Sequence, residues 1–166
     1  MSKHHQAFVF DEAAFRRELA PLLDRQADIA LESFINDHRA RLRDPETGAA
    51  LELSWRQEPE NEGVVRRAAL ALTAFYDPTA NIGLGSSAQK CRFALMDLYP
   101  EGRVFVGGGS LGVPEGYFQS AGYVRESVVI LERLQAEHRQ KADVIAPVLT
   151  MLQAAVRAGQ GLYILL

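Results

Sequence analysis

The sequence Leu162-Tyr163-Ile164-Leu165-Leu166 is a run of five apolar residues, and it is the stretch that best defines the fold. An apolar run of this length is typical of a buried strand, because an exposed one would attract other chains. Gly159 lies just before it, and glycine is the residue that most often ends a helix. The pattern therefore predicts a helix that stops at Gly159, followed by a strand laid into a sheet.

Working outward from this strand, the apolar spacing predicts two helices. Val148, Leu152 and Val156 form one stripe, and we expect that helix to begin at Pro147, because proline suits the first helical position. An earlier helix is predicted to begin near Gly122, and its apolar stripe consists of Val124, Val128, Leu131 and Leu134.

The first part of the chain predicts a short strand at residues 7–10 and a helix that Asp11 caps. Pro21 interrupts this helical pattern, which gives either one kinked helix or two helices that meet there, and the pattern ends near residues 43–45. Leu51, Leu53 and Trp55 then alternate with polar residues, which favours a half-buried strand.

The middle of the chain predicts a helix whose apolar face runs from Val64 to Tyr76, with Arg66 and Arg67 facing away from the core. Ser86 or Ser87 is expected to cap a further helix that buries Cys91, and residues 103–106 are predicted to form a strand. Residues 1–166 are therefore expected to form a single compact α+β domain. It would have about five helices and a small sheet of three or four short strands that includes the C-terminal segment.

Composition limits the classes of function. The 166 residues carry a net charge of −3, which argues against a nucleic-acid partner, because such a partner requires a basic surface. No apolar stretch approaches the roughly 20 residues of a membrane helix, so a soluble protein with no membrane partner is expected. The single cysteine and the scattered histidines predict no cofactor or metal, and a cytoplasmic location is the simplest expectation.

Nine of the thirteen glycines lie between Gly83 and Gly122, so we expect unusual backbone there. The pattern G-x-G-x-x-G occurs at residues 107–112, but no helix follows it directly, as a dinucleotide site requires. Two turns, residues 81–87 and 107–119, are predicted to form the two lips of one cleft. Its candidate binding residues are Asp77, Asn81, Arg103, Gly108, Gly109, Ser110, Tyr117 and Gln119.

Three hypotheses for function remain open. The first is a non-catalytic intracellular protein-binding domain, such as an immunity- or inhibitor-type protein, whose acidic residues Glu58, Glu60 and Glu62 steer a basic partner. The second is a small-ligand-binding or enzymatic domain in which the glycine-rich loops 81–87 and 107–119 form an anion-binding cleft. The third is a homodimer in which residues 162–166 pair across the interface.

Overall fold

A computed structural model describes residues 4–24, 28–98 and 116–166. Seven α-helices lie in these ranges: α1 (Glu12–Glu18), α2 (Ala20–Asp24), α3 (Asp28–His38), α4 (Val64–Leu72), α5 (Ala88–Leu95), α6 (Ala121–Glu137) and α7 (Ala142–Ala158). Three strands accompany them: β1 (Gln6–Phe10), β2 (Gly116–Gln119) and β3 (Gly161–Leu165). The α+β class is confirmed, with more helices than the sequence predicts.

The C-terminal strand is the centre of the sheet. The strands lie in the order β1-β3-β2, and both neighbours run antiparallel to β3. Tyr163 lies opposite Phe8 on one side and Phe118 on the other. Both backbone edges of β3 are therefore paired within the chain, and the hypothesis that this segment pairs across a dimer interface is wrong.

Each face of the sheet is covered by a separate apolar core. Phe8, Phe10 and Tyr163 belong to the core beneath α1, α3 and α4, whereas Leu162 and Ile164 belong to the core beneath α5, α6 and α7. This division follows from the two-residue period of a strand, which sends neighbouring side chains to opposite faces. The sheet is thus the middle layer between two groups of helices.

Local sequence accounts for several element boundaries. The Asp11 side chain accepts a hydrogen bond from the Ala14 amide at 3.1 Å, which confirms it as the cap of α1. The break predicted around Pro21 falls at Leu19, between α1 and α2. Gly159 ends α7 with φ of 65°, a left-handed conformation that favours glycine.

Two predictions about element boundaries are wrong. Residues 51–55 form no strand, because the Trp55 amide donates to the Glu52 carbonyl in a tight turn that leads into a 3₁₀ segment, Trp55–Gln57. Leu53 is 80% exposed, although Trp55 is buried as expected. Helix α7 begins at Ala142 and not at Pro147, which lies inside the helix on its exposed side. The Asp143 carbonyl that loses its helical partner there is also on the exposed side, where water can satisfy it.

Candidate functional site

An open groove of about 850 Å³ lies where the helical cover of the first core ends. Its floor, which we call the aromatic floor, consists of Phe8 on β1, Tyr76 after α4 and Tyr163 on β3. Other lining residues come from the strand ends, from three turns and from α4: Gln6, Pro45, Glu46, Glu62, Gly63, Val64, Val65, Arg66, Ala69, Pro78 and Leu165.

The aromatic floor is a closely packed surface. The ring centroids of Phe8 and Tyr76 are 4.9 Å apart, and those of Tyr76 and Tyr163 are 5.1 Å apart. These separations match direct ring packing, so a bound group would rest on the rings and not between them. Gly116 makes room for this arrangement, since a Cβ atom there would lie 2.5 Å from Cε2 of Tyr163.

The hydroxyl group of Tyr76 remains protonated in this environment. Burial raises its pKa well above the ordinary value, and the neighbouring Tyr163 and Asp44 act in the same direction. A neutral phenol offers a hydrogen bond but no charge. The floor is therefore apolar and uncharged, and the charges of the groove lie on its rim.

One part of the rim is the turn at residues 44–48. The carboxylate of Asp44 accepts hydrogen bonds from the amides of Glu46 at 2.9 Å and Thr47 at 2.8 Å. Burial alone would raise the pKa of Asp44, but these amides and the Arg66 guanidinium outweigh it and hold the pKa below its usual value. The turn is thereby fixed, and the Glu46 side chain extends into solvent with 83% of its surface exposed.

The other part of the rim is the acidic segment from Glu58 to Glu62. Its fourth residue, Asn61, is buried and donates to the Trp55 carbonyl at 2.8 Å and to the Glu58 carboxylate at 3.2 Å. Trp55 is itself held by its indole N–H, which donates to Asn36 at 3.0 Å. The segment is therefore an ordered turn built on a buried amide and a buried tryptophan.

Arg66 connects the two parts of the rim. Its guanidinium lies 2.6 Å from an oxygen of Asp44 and 3.7 Å from an oxygen of Glu46, and its Nε donates to Asn61 at 3.3 Å. Among the described lining residues, Glu46 and Glu62 carry two negative charges against the one positive charge of Arg66, and Asp44, which pairs with Arg66, brings the net charge of these four residues to −2. The rim is acidic even though it contains an arginine.

The expectation that Arg66 and Arg67 face away from the structure is wrong. Their side chains are only 19% and 15% exposed, and Arg67 pairs with Glu32 at 2.7 Å and with Asp28 at 3.2 Å. The two preceding valines are the exposed residues, with Val64 at 45% and Val65 at 60%. Carboxylates from other loops and from α3 draw the arginines inward, and the long arginine stems can bury apolar surface while the charges stay paired.

Of the predicted acidic residues, Glu62 lines the groove. Glu60 is exposed and Glu58 is half-buried on the same segment, and neither lines the groove. Asp77 precedes the lining residue Pro78, and its carboxylate accepts from the amide and hydroxyl of Thr79 at 2.9 and 2.7 Å. These hydrogen bonds lower the pKa of Asp77, which acts as the cap of a turn.

Asn81 holds the backbone at the outer edge of β1. Its side-chain oxygen accepts from the amides of Ala7 at 3.1 Å and Gly83 at 2.8 Å. Gly83 runs so close to β1 that an added Cβ would lie 2.6 Å from the His5 carbonyl oxygen. The first glycine-bearing turn is thus a backbone strip that covers the edge of β1.

The predicted cleft between two glycine-rich lips is described only in part. Tyr117 and Gln119 lie on β2, with β3 and β1 between them and the strip that Asn81 holds. At about 4.8 Å per strand, this places the described parts of the two lips roughly 14 Å apart. Arg103, Gly108, Gly109 and Ser110 lie outside the described residues, as does the strand predicted at residues 103–106.

His5 belongs to the covered edge of β1. Its Nδ1 accepts a hydrogen bond from the Leu84 amide at 3.0 Å, which requires an unprotonated Nδ1. Burial of the ring lowers its pKa to about 4. The imidazole is therefore neutral near pH 7 and ties residues 82–85 to the first strand.

The structure brings together residues that the sequence analysis did not select as a site, namely Phe8, Glu46, Arg66, Tyr76 and Tyr163. One available signal was the turn-forming sequence Asp44-Pro45-Glu46-Thr47-Gly48, which resembles the acidic segment in placing carboxylates beside a proline. These two turns come close to the end of the sheet only through tertiary packing. No local sequence pattern predicts that packing.

Among the residues that the structure describes, no cluster of three or more His, Cys, Asp or Glu side chains is arranged to hold a metal ion. In the same ranges, no helix combines the length and the apolar character needed to cross a membrane. Comparison of the chain with protein-family models, with curated proteins and with solved structures gave no match.

Proposed function

We propose that this chain is a non-catalytic protein-binding domain that captures and neutralises a partner protein, in the manner of an immunity or inhibitor protein. The groove would be its docking surface. The single observation that carries the proposal is an aromatic floor joined to two exposed valines, Val64 and Val65, on a rim that is already ordered.

The composition of the groove suits a protein partner. Protein interfaces combine an apolar, often aromatic centre with a polar edge, and a few central contacts supply most of the binding energy. Here the floor supplies the centre, while Glu46 and Glu62 supply the edge. A partner side chain that covers Val65 and rests on Tyr163 would bury apolar surface that water now reaches.

The order of the rim also favours binding. Arg66 and Asn61 fix the two turns before any partner arrives, so little conformational entropy is lost when a complex forms. Two polar residues of the candidate set, Asp77 and Asn81, have structural roles. The side chains of Asp77 and Asn81 accept backbone hydrogen bonds, and burial raises the pKa of Cys91, which disfavours the reactive thiolate.

The proposal is tested by blocking the groove with Val65→Arg. Val129→Arg is the matched control, because Val129 is 66% exposed on α6, on the other side of the sheet. Proteins that co-purify with the wild type from its native cells are identified, and each purified candidate is titrated calorimetrically with all three forms.

We expect Val65→Arg to weaken binding at least tenfold, because a charged side chain would occupy the centre of the interface, and Val129→Arg to leave it unchanged. Equal binding by the three folded proteins would refute the groove as the docking surface. Circular dichroism establishes that each variant is folded.

A second candidate function is the binding of a small ligand. The groove volume of about 850 Å³ lies within the range of roughly 300–1,000 Å³ found for ligand sites. Thermal-shift measurements with phosphorylated and carboxylated metabolites test this alternative and the anion-binding loops together. A stabilisation that Val65→Arg removes would place such a ligand in the groove.

A further inference from the structure

We propose that the groove binds a polypeptide segment that carries an arginine or lysine beside a bulky apolar side chain, with the cation held between Glu46 and Glu62. This inference rests on the proposed function and specifies the chemistry of the partner. It also separates Glu62, which lines the groove, from Glu58 and Glu60, which do not.

Charge complementarity predicts that the bound segment carries a positive charge. Among the described residues that line the groove, Arg66 is the only cation, and it is already bound to Asp44 at 2.6 Å and to Asn61 at 3.3 Å. The carboxylate of Glu46 is 83% exposed and lies 3.7 Å from Arg66, so it can accept further hydrogen bonds. Glu62 is exposed on the same rim, and an incoming cation would therefore find two carboxylates and no unpaired positive charge.

The floor supplies the apolar half of the recognition. Phe8 and Tyr163 are buried side chains whose outer surface forms the bottom of the groove, and Leu165 extends that surface toward the strand end. A leucine-sized side chain on this surface would bury its own apolar atoms together with those of the exposed Val65, which favours binding. The faces of the tyrosine rings also attract the cation of a neighbouring arginine or lysine.

The probe is a six-residue peptide, capped at both ends, in which two leucines alternate with two arginines between flanking glycines. Two companion peptides replace the arginines with glutamates or the leucines with serines. Binding to the full chain is followed by two-dimensional NMR of the ¹⁵N-labelled protein, which reports both affinity and location.

We expect only the leucine–arginine peptide to shift the amide signals of residues 44–48, 62–66 and 163–165, with an affinity at least tenfold above those of its companions. Glu62→Lys is expected to weaken this binding about tenfold, because it replaces an attractive contact with a repulsive one. Glu60→Lys is the matched control, since it changes the net charge equally on the same segment but outside the groove. We expect that variant to lose less than about threefold.

Several results would overturn the inference: a glutamate peptide that binds as well as the arginine peptide, a serine peptide that binds as well, or equal losses for Glu60→Lys and Glu62→Lys. The last result would mean that only long-range attraction matters. The proposed function fails separately, if Val65→Arg leaves the binding of the native partner intact. Glu46→Gln, which removes a charge without adding one, provides a second variant if Glu62→Lys fails to fold.

Discussion

The two faces of the sheet differ in how completely helices cover them. On one face, α6 and α7 have 17 residues each, which at 1.5 Å per residue gives helices about 25 Å long. On the other face, α1, α3 and α4 have seven, eleven and nine residues, which gives lengths of about 10, 16 and 13 Å. Among the residues that the structure describes, the longer helices bury their face, whereas Gln6 at the end of β1 is exposed and Leu165 at the end of β3 is only partly buried. The groove lies at this less covered end of the sheet.

This difference has a chemical consequence. The closed face is filled by aliphatic side chains such as Leu131, Ile145 and Leu152, which are fully buried. The open face carries the aromatic floor, whose closely packed rings are largely buried and border the groove. We infer that the closed face stabilises the fold. On the open face, the same residues must serve both the stability of the fold and the binding of a partner.

The largest expected effect tests this division directly. Leu152→Ala on the closed face should lower the free energy of unfolding by about 4 kcal/mol, because it leaves a cavity among fully buried side chains. Leu165→Ala, at the open end of the sheet, should cost no more than about 2 kcal/mol, because that side chain is only partly buried. Urea denaturation of both variants measures the two values. Equal losses would mean that the two faces are closed to the same degree.

The difference between the two faces also explains which parts of the fold could be predicted from the sequence. The closed face follows from local patterns: the stripe of Leu131 and Leu134, the stop at Gly159 and the apolar run after it all predict elements that are present. The open face depends on contacts between distant turns. Arg66 lies 22 residues from Asp44, and Trp55 lies 19 residues from Asn36.

Contacts between residues that are distant in the sequence cannot be predicted from the periodicity of apolar residues. The alternation around Trp55 is typical of a strand, but the chain instead turns at Glu52, and Trp55 packs against α3 through Asn36. Arg66 and Arg67 follow the period of an exposed face, yet carboxylates elsewhere in the sequence pair with both. The acidic segment was recognisable from its composition, whereas its position beside the aromatic floor was not.

A second prediction concerns pH and the covered edge of β1. The folded-state pKa of His5 is about 4, below the ordinary histidine value of 6.5. Between these values the unfolded chain binds more protons, so the stabilisation is complete above pH 6.5 and is lost as the pH falls through 4. The shift corresponds to about 3 kcal/mol. Urea denaturation between pH 7 and pH 4 should show this loss.

His5→Gln provides the reference for that measurement. Glutamine does not titrate, so the difference in unfolding free energy between wild type and variant should shrink by about 3 kcal/mol as the pH falls from 7 to 4. Carboxylates such as Asp44 titrate in both proteins and cancel in this difference. A constant difference would show that the ring of His5 is accessible to protons in the folded protein, and hence that the edge of β1 is not closed.

The smallest expected effect on stability lies at the open face. Arg66→Met retains much of the side-chain stem but removes the hydrogen bonds to Asp44 and Asn61, and should cost about 1–2 kcal/mol, because Asp44 is only partly buried and water can replace the guanidinium there. Its effect on order should be larger than its effect on stability, since both turns of the rim depend on this one guanidinium. Hydrogen exchange should therefore accelerate at residues 44–48 and 61–63 and remain unchanged in α6 and α7. If exchange in the rim is unaffected, the two turns are ordered independently of Arg66. The two faces of the sheet would then differ only in how far helices cover them.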